Sequence, residues 1–283
     1  MKKIILSATV IISLIWLANN YWSGLKPAIL PAPTIPTSTP SPGVNTTGLP
    51  LSIPQGFSIS TFASDLGNPR DLEFDPTGKL LVSIPSRGQV ISLPDKKIIA
   101  SNLTRPHGIA FANNKLYIAE EDKVTVNGKK ILDLPGRGNH ITRSLLVKDE
   151  NLYISIGSSC NVCHESDPRR AAIYTSTLDG TDFRLYASGL RNSVFMTLDA
   201  QNNIWATDMG RDLIGNDIPP DEINSIKSGN YGWPICYGQN IHDTDFDKNQ
   251  YIRDPCSDST PSLIDLPAHS APLGLAFIPN SWP

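Results

Sequence analysis

Seven residues with proton-transfer or hydrogen-bonding chemistry recur at one kind of place in this chain, the turn that leads into an apolar run: Arg70, His107, His140, Arg143, Arg191, Asn192 and His269. Imidazoles exchange protons near neutrality, and guanidinium and amide groups donate to anionic oxygens. Gathered at one mouth, such a set suits an anionic ligand with a proton to be moved. A second set is acidic. Asp208, Asp212, Asp217, Asp221 and Glu222 crowd a stretch rich in Gly and Pro. Carboxylates and backbone carbonyls are the hard oxygen ligands that calcium prefers, and a solvated acidic loop has the same composition. The run Asp243-Thr-Asp245-Phe-Asp247-Lys-Asn249, with Asp254 at the twelfth place, also resembles a calcium loop. It departs from one at Lys248, where the turn favours Gly, and in ending on Asp instead of Glu.

The elements that must position these groups form a repeat. Each copy has a polar turn, an apolar strand, a tight Asp/Asn/Gly turn and a second apolar strand. Asn68–Phe74, Asp75–Gly78 and Leu80–Val82 make the first copy; Arg105–Phe111, Asn113-Asn114 and Leu116–Ile118 make the second. The third runs from His140 through Val147 to Ile154, the fourth from Arg191 through Leu198 to Trp205, and a fifth begins at His269–Phe277. The anchors Phe74, Phe111, Val147, Leu198 and Phe277 lie 37, 36, 51 and 79 residues apart by subtraction. A four-stranded blade takes roughly 40 residues, so the longer intervals carry insertions. Alternation such as Leu152-Tyr-Ile-Ser-Ile156 has the period of a strand. These features predict an all-β chain, a β-propeller with about four blades plus part of a fifth, in place of a sandwich of unrelated strands. A ring needs closure, and this count is C-terminally incomplete for six blades.

Net charge of −3 with no basic stripe argues against a nucleic-acid partner. Lys2-Lys3 followed by the apolar run Ile4–Ala18 reads residues 1–22 as a signal peptide or membrane anchor, so the remainder is exported, periplasmic or extracellular. Residues 23–50, rich in Pro, Ser and Thr, read as an extended linker, and 51–283 as the propeller domain. In an exported chain, an even cysteine count favours disulfides. Cys236 and Cys256 bracket a polar loop that a bridge would staple. Cys160 and Cys163 belong to Cys-Asn-Val-Cys-His164, formally a c-type haem attachment string. The alternatives there are a local disulfide stiffening a loop at the propeller mouth, covalent haem, a metal or free thiols.

Five short motifs occur in one order: Gly138-Asn-His140-Ile-Thr-Arg143, Gly189-Leu-Arg-Asn192, Pro219-Pro-Asp-Glu-Ile-Asn224, Asn230-Tyr-Gly-Trp-Pro234 and Ala268-His-Ser-Ala-Pro-Leu-Gly274. From about Leu51 onward the chain resembles the soluble quinoprotein sugar dehydrogenases, most of all the sorbosone dehydrogenase-like branch, whose Ser-Ser-Cys-Asn-Val-Cys string matches residues 158–163. The resemblance implies a six-bladed propeller binding pyrroloquinoline quinone and Ca2+. It would oxidise a sugar or a sugar-derived aldehyde or alcohol and pass electrons to an external acceptor. It gives His140 the part of general base, and Arg191 and Asn192 the part of cofactor contacts that stabilise charge on the quinone oxygens. Arg143 and His269 would be further cofactor contacts, and Gly215-Asn216-Asp217 would match the calcium-binding turn. In the glucose-oxidising branch an acidic residue orients the base; here Ser158 stands in its place. Two other readings remain: a propeller that binds without catalysis, and a calcium-dependent lactonase-type propeller.

Overall fold

The structure, a computed structural model, describes residues 43–278. The proposed signal or anchor at 1–22 lies outside them. Two compact units divide the chain, Met1–Thr61 and Phe62–Pro283. In the first, β1 (Val44–Asn45) pairs in parallel with β2 (Ser58–Ile59). Of the expected linker at 23–50, residues 23–42 lie outside the described residues too; the rest contains the short strand β1 and a bend where the Asn45 amide donates to the carbonyls of Leu49 and Leu51.

The second unit is built of four blades of four antiparallel strands each, the third extended by one short parallel strand. Blade I is β3 (Leu72–Phe74), β4 (Leu80–Ile84), β5 (Gln89–Leu93) and β6 (Lys97–Ala100). Blade II is β7 (Ile109–Ala112), β8 (Lys115–Ala119), β9 (Lys123–Val126) and β10 (Lys129–Asp133). Blade III is β11 (Leu145–Lys148), β12 (Asn151–Ile156), β13 (Ala172–Thr177) and β14 (Arg184–Ser188). Blade IV starts with β15 (Met196–Leu198), β16 (Ile204–Asp208) and β17 (Asp221–Ile226). The chain then makes β18 (Gly229–Asn230), parallel to β14, and a small hairpin of β19 (Cys236–Tyr237) and β20 (Ile241–His242), before β21 (Ile264–Leu266) completes blade IV beside β17. The sequence repeat is the inner hairpin of each blade, and the inner strands β3, β7, β11 and β15 follow one another around the axis.

Local chemistry makes these hairpins. The Asp75 carboxylate accepts from the backbone N–H of Thr77 and Lys79, and Asp199 repeats the device on Gln201 and Asn203. The strands hold together through faces of opposite destination. Leu152, Ile154 and Ile156 on β12 pack with Tyr117, Ala119 and Val124 of blade II, whereas Tyr153 packs with Ala187, Met196 and Ile204 toward blade IV. Truncating one of these, such as Leu152→Ala, costs about 2–5 kcal/mol.

The fifth copy of the repeat forms no strand among the described residues. His269 and Ala271 both have positive φ, which breaks an extended run, and Phe277 packs edge-on against Trp205 at 5.3 Å.

Candidate functional site

Blades III and IV differ from the first two in one connection. Between β4 and β5 lie four residues (85–88) and between β8 and β9 three (120–122); between β12 and β13 lie fifteen (157–171) and between β16 and β17 twelve (209–220). His140 and Arg191, each in the turn entering its blade, meet these long loops.

His140 Nδ1 lies 2.7 Å from Ser158 Oγ and 3.2 Å from the Ser158 carbonyl, and its backbone N–H also donates to that carbonyl. The approach depends on Gly157, where a Cβ would stand 2.6 Å from both His140 Cβ and Asn192 Oδ1. Burial, then the Arg191 charge, lowers the His140 pKa to about 4, so the ring is neutral at pH 7.

The Arg191 guanidinium is buried and spans both loops. Its Nε donates to the Asn161 carbonyl at 2.8 Å, Nη1 to the Met209 and Gly210 carbonyls at 3.1 and 2.7 Å, and Nη2 to Asn161 Oδ1 at 2.9 Å. The carboxylate paired with it is Asp212, 3.5 Å away and exposed. The backbone N–H groups of Arg191 and Asn192 donate to Asp208, whose carboxyl is pushed well above the usual range by complete burial and then by the Glu222 charge. Asn192 turns its amide toward Met209 Sδ at 3.5 Å.

A cavity of about 130 Å³ opens where these groups meet, lined by His140, Arg191, Asp212, Asp221 and His269 together with Met209, Gly210 and Arg211. Asp221 closes its floor by accepting from the Gly210 and Ala271 N–H groups. A larger hollow of about 670 Å³ lies between blades I and II, lined by Leu81, Phe111 and Ile118 around Glu120 and Lys123. It gathers none of the groups above, so the smaller cavity is the candidate site.

Of the residues singled out in the sequence, His140, Arg191 and His269 line this cavity and Asn192 packs beside it. Others are elsewhere. Arg143 is fully buried and donates to the carbonyls of Pro135, His140 and Thr142, so it braces the turn and does not face a ligand. His107 is likewise enclosed. Gly215, Asn216 and Asp217 sit on an exposed stretch outside the cavity lining, and the Gly215 carbonyl faces His269 Nε2 at 3.0 Å. The Asp243–Asp254 run is no calcium loop either: Asp243 and Asp245 clamp Arg211, and Asp247 is taken by His242, Asn249 and Tyr251. Cys160–Cys163 and Cys236–Cys256 are disulfides, which removes the haem and metal alternatives for the first pair. Sequence reasoning missed Asn161, Arg211 and the Met209-Gly210 carbonyls. The one signal for Asn161 was its place between two cysteines.

Residues 51–282 match the family model described as TrAA12-like. An uncharacterized protein of Borreliella burgdorferi is 32% identical over 259 residues, covering 80% of this chain and 67% of that one. Among solved structures, the Carbohydrate-Active Enzymes Family AA12 protein of Trichoderma reesei superposes with TM-score 0.62 at 22% identity, over 75% of this chain and 71% of that one. The pyranose dehydrogenase PQQ domain of Coprinopsis cinerea gives TM-score 0.64 at 19% identity, over 84% and 76%. The PQQ-bound aldose sugar dehydrogenase of Streptomyces coelicolor gives 0.51 at 19% identity, over 65% and 69%.

Proposed function

The chain belongs to the TrAA12-like family, and we propose on that footing that it is an exported quinoprotein oxidoreductase that oxidises a sugar or a sugar-derived aldehyde or alcohol. One observation carries the reading: a neutral imidazole and a buried guanidinium face one cavity beside the long loops 157–171 and 209–220. The fold's neighbours, a pyranose dehydrogenase PQQ domain and a PQQ-bound aldose sugar dehydrogenase, support the choice of cofactor and substrate class. Two disulfides and the N-terminal sequence support export to an oxidising compartment.

The donor set fits an anionic planar quinone. Four of the five Arg191 N–H groups are held by neutral oxygens, which fixes the guanidinium at the cavity wall as a cation with the carboxylates of Asp208, Asp212 and Asp221 near it. Arg191 and Asn192 would hold the quinone, and His269 would flank it. When bound, the quinone supplies the hydride acceptor. His140 Nε2, which has no partner among the described residues, is placed to accept the proton of a substrate hydroxyl. Arg191 stabilises negative charge that develops beside it. The residues at 215–217 lie outside the lining of this cavity, and the Gly215 carbonyl faces His269, so they bring no calcium ligand to it.

The test is reconstitution. Full-length protein is incubated with the quinone, with and without calcium, gel-filtered, and assayed for dye reduction with aldoses and aldehydes. Retained quinone absorbance and substrate-dependent reduction are expected, and His140→Ala should lose the reduction while retaining the quinone. Absence of both retention and reduction would sink the dehydrogenase reading.

A further inference from the structure

We infer that the disulfide-closed loop Cys160–Cys163 is the positioning element of this site: through Ser158 it fixes the tautomer of His140, and through Asn161 it fixes the guanidinium of Arg191. The inference rests on the reading of His140 as a base, and its first readout is independent of that reading.

The proton count decides the tautomer. Ser158 is fully buried and its hydroxyl carries one hydrogen. Its Oγ lies 2.7 Å from the Cys160 carbonyl, which only accepts, so that hydrogen is committed there. Toward His140 Nδ1, 2.7 Å away, the same oxygen can then only accept. The other atom within reach of Nδ1 is the Ser158 carbonyl, which also only accepts. Both neighbours therefore require the hydrogen on Nδ1. In a neutral ring this leaves Nε2 as a bare lone pair, the form a base needs. The opposite tautomer would face two oxygens with an unprotonated nitrogen.

Asn161 does the equivalent for Arg191. Its carbonyl accepts from Nε and its Oδ1 from Nη2, and Oδ1 also accepts from the Asp212 N–H at 2.8 Å. Its Nδ2 donates to the Asp212 carbonyl at 3.0 Å. Oxygen facing two donors and nitrogen facing an acceptor define the amide orientation uniquely. Two residues separate the cysteines, and the bridge closes them into a small covalent ring with Cα atoms 6.2 Å apart. Glu165 anchors the ring's entry by accepting from both the N–H and Oγ of Ser159 at 2.6 Å. The Cys160 carbonyl and the Asn161 amide therefore cannot turn away independently. One loop thereby aligns a base from the turn of blade III and a cation from the turn of blade IV.

Ring-15N-histidine labelling of the full chain tests this. The chain has five histidines, and His140→Gln assigns the signals of interest. The expected spectrum of the unloaded protein at pH 7 shows the Nδ1–H tautomer at His140. Ser158→Ala and the double variant Cys160→Ser/Cys163→Ser should shift it toward a tautomer mixture, and Ser158→Thr, which keeps the hydroxyl, should restore it. In the loaded enzyme Ser158→Ala should lower kcat about 10–100-fold with little change in KM, by analogy with partners that orient a metal-ligating imidazole. Asn161→Ala should weaken quinone retention and leave the His140 tautomer in place. An Nε2–H tautomer in the wild type, or unchanged His140 signals in both Ser158→Ala and the cysteine double variant, would overturn the inference. A tautomer shift with unchanged kcat would uphold the positioning and overturn the role of His140 as base.

Discussion

Blades I and II place structure where blades III and IV place chemistry. Equivalent backbone hydrogen bonds, Ser83 to Asp71, Ala119 to Gly108, Ser155 to Ser144 and Thr207 to Phe195, align the four inner hairpins residue by residue. In that alignment Arg70, His107, Arg143 and Val194 are one column, two residues before each inner strand, and Gly67, Thr104, His140 and Arg191 are another, five before. In the first column Arg70 is exposed, whereas His107, Arg143 and Val194 are packed inside: His107 is enclosed, and its pKa falls to about 4 through burial and then through the neighbouring Arg70 charge. The second column becomes a site only in blades III and IV, where the next inter-strand connection has fifteen and twelve residues in place of four and three. A repeat supplies register; the loop beside it decides whether a histidine is packed away or exposed to a ligand.

The largest expected effect separates the two histidines. His140→Ala in the reconstituted enzyme should lower kcat by about 10²–10⁴, the contribution typical of a general base, with the thermal midpoint little changed. His107→Ala should do the reverse, lowering the midpoint and leaving kcat of the folded fraction intact. Equal activity losses in the two variants would erase the distinction between the columns. Both imidazoles have pKa values depressed from 6.5 to about 4, so the native state binds these protons more weakly than the unfolded chain does. Their stability contribution is present above about pH 6.5 and lost as pH falls toward 4. Denaturant unfolding between those values should be flatter in His107→Gln than in the wild type.

A second difference lies where each long loop leaves its sheet. The last cross-strand pair of the second and third strands is Ile84–Gln89 in blade I, Ala119–Val124 in blade II and Ile156–Ala172 in blade III, but Asp208–Glu222 in blade IV. Burial raises the Glu222 carboxyl from 4.5 to about 7, against hydrogen bonds from Asn224 and the Gly238 N–H. Here the native state binds the proton more tightly, so stability is greatest below about pH 4.5 and is lost as pH rises through 7. Glu222→Gln should raise the melting temperature at pH 8 and change it little at pH 5; the buried Asn224 Oδ1, unpartnered now, can accept from the new amide. A Glu222→Gln effect on the melting temperature no larger at pH 8 than at pH 5 would contradict the burial argument.

The glycine contrast is smaller. Gly157→Ala puts a methyl group 2.6 Å from His140 Cβ and Asn192 Oδ1, an overpacking worth about 1–3 kcal/mol, and should displace the His140 ring. Gly78→Ala in the blade I hairpin meets open space at φ +84°, and should cost about 1 kcal/mol in backbone strain without touching activity. If Gly157→Ala kept full turnover, the tight packing behind the base would be irrelevant to it.

Much of the blade architecture was legible because strand period and Asx turns are local signals. All four hairpins occur where the alternation and the Asp/Asn/Gly turns put them. His140 and Arg191 were legible through the register of the repeat and the family motifs. Arg143 was misplaced because the register says which turn a residue occupies and not which way its side chain leaves it; three residues separate it from His140, and it points into protein carbonyls. The calcium reading of residues 243–254 failed for a different reason. Carboxylates were counted in sequence, but Arg211, distant from Asp243 by 32 residues, consumes two of them. Asn161 was invisible because an amide declares nothing until its partners are known.

The smallest effect is expected at Asp245. Arg211 carries the 209–212 wall of the cavity and is gripped by Asp243 from Nε and Nη2 at 2.6 and 2.9 Å, with the Asp243 carboxylate almost wholly buried. Asp245 adds a bond to Nη2 at 2.7 Å from a side chain that is 66% exposed. Water and salt screen an exposed carboxylate, and holding it in place costs side-chain entropy, so Asp245→Asn should cost about 0–1 kcal/mol, less at high salt, with kcat and quinone retention unchanged. The same variant separates the clamp from the calcium reading of this segment. A carboxylate that serves as an arginine partner leaves the melting temperature indifferent to calcium in both wild type and variant. A calcium-dependent rise that vanishes with Asp245→Asn would mean that the blade IV insertion binds an ion in place of holding the wall, and the contrast between a working loop and its staple would have to be redrawn.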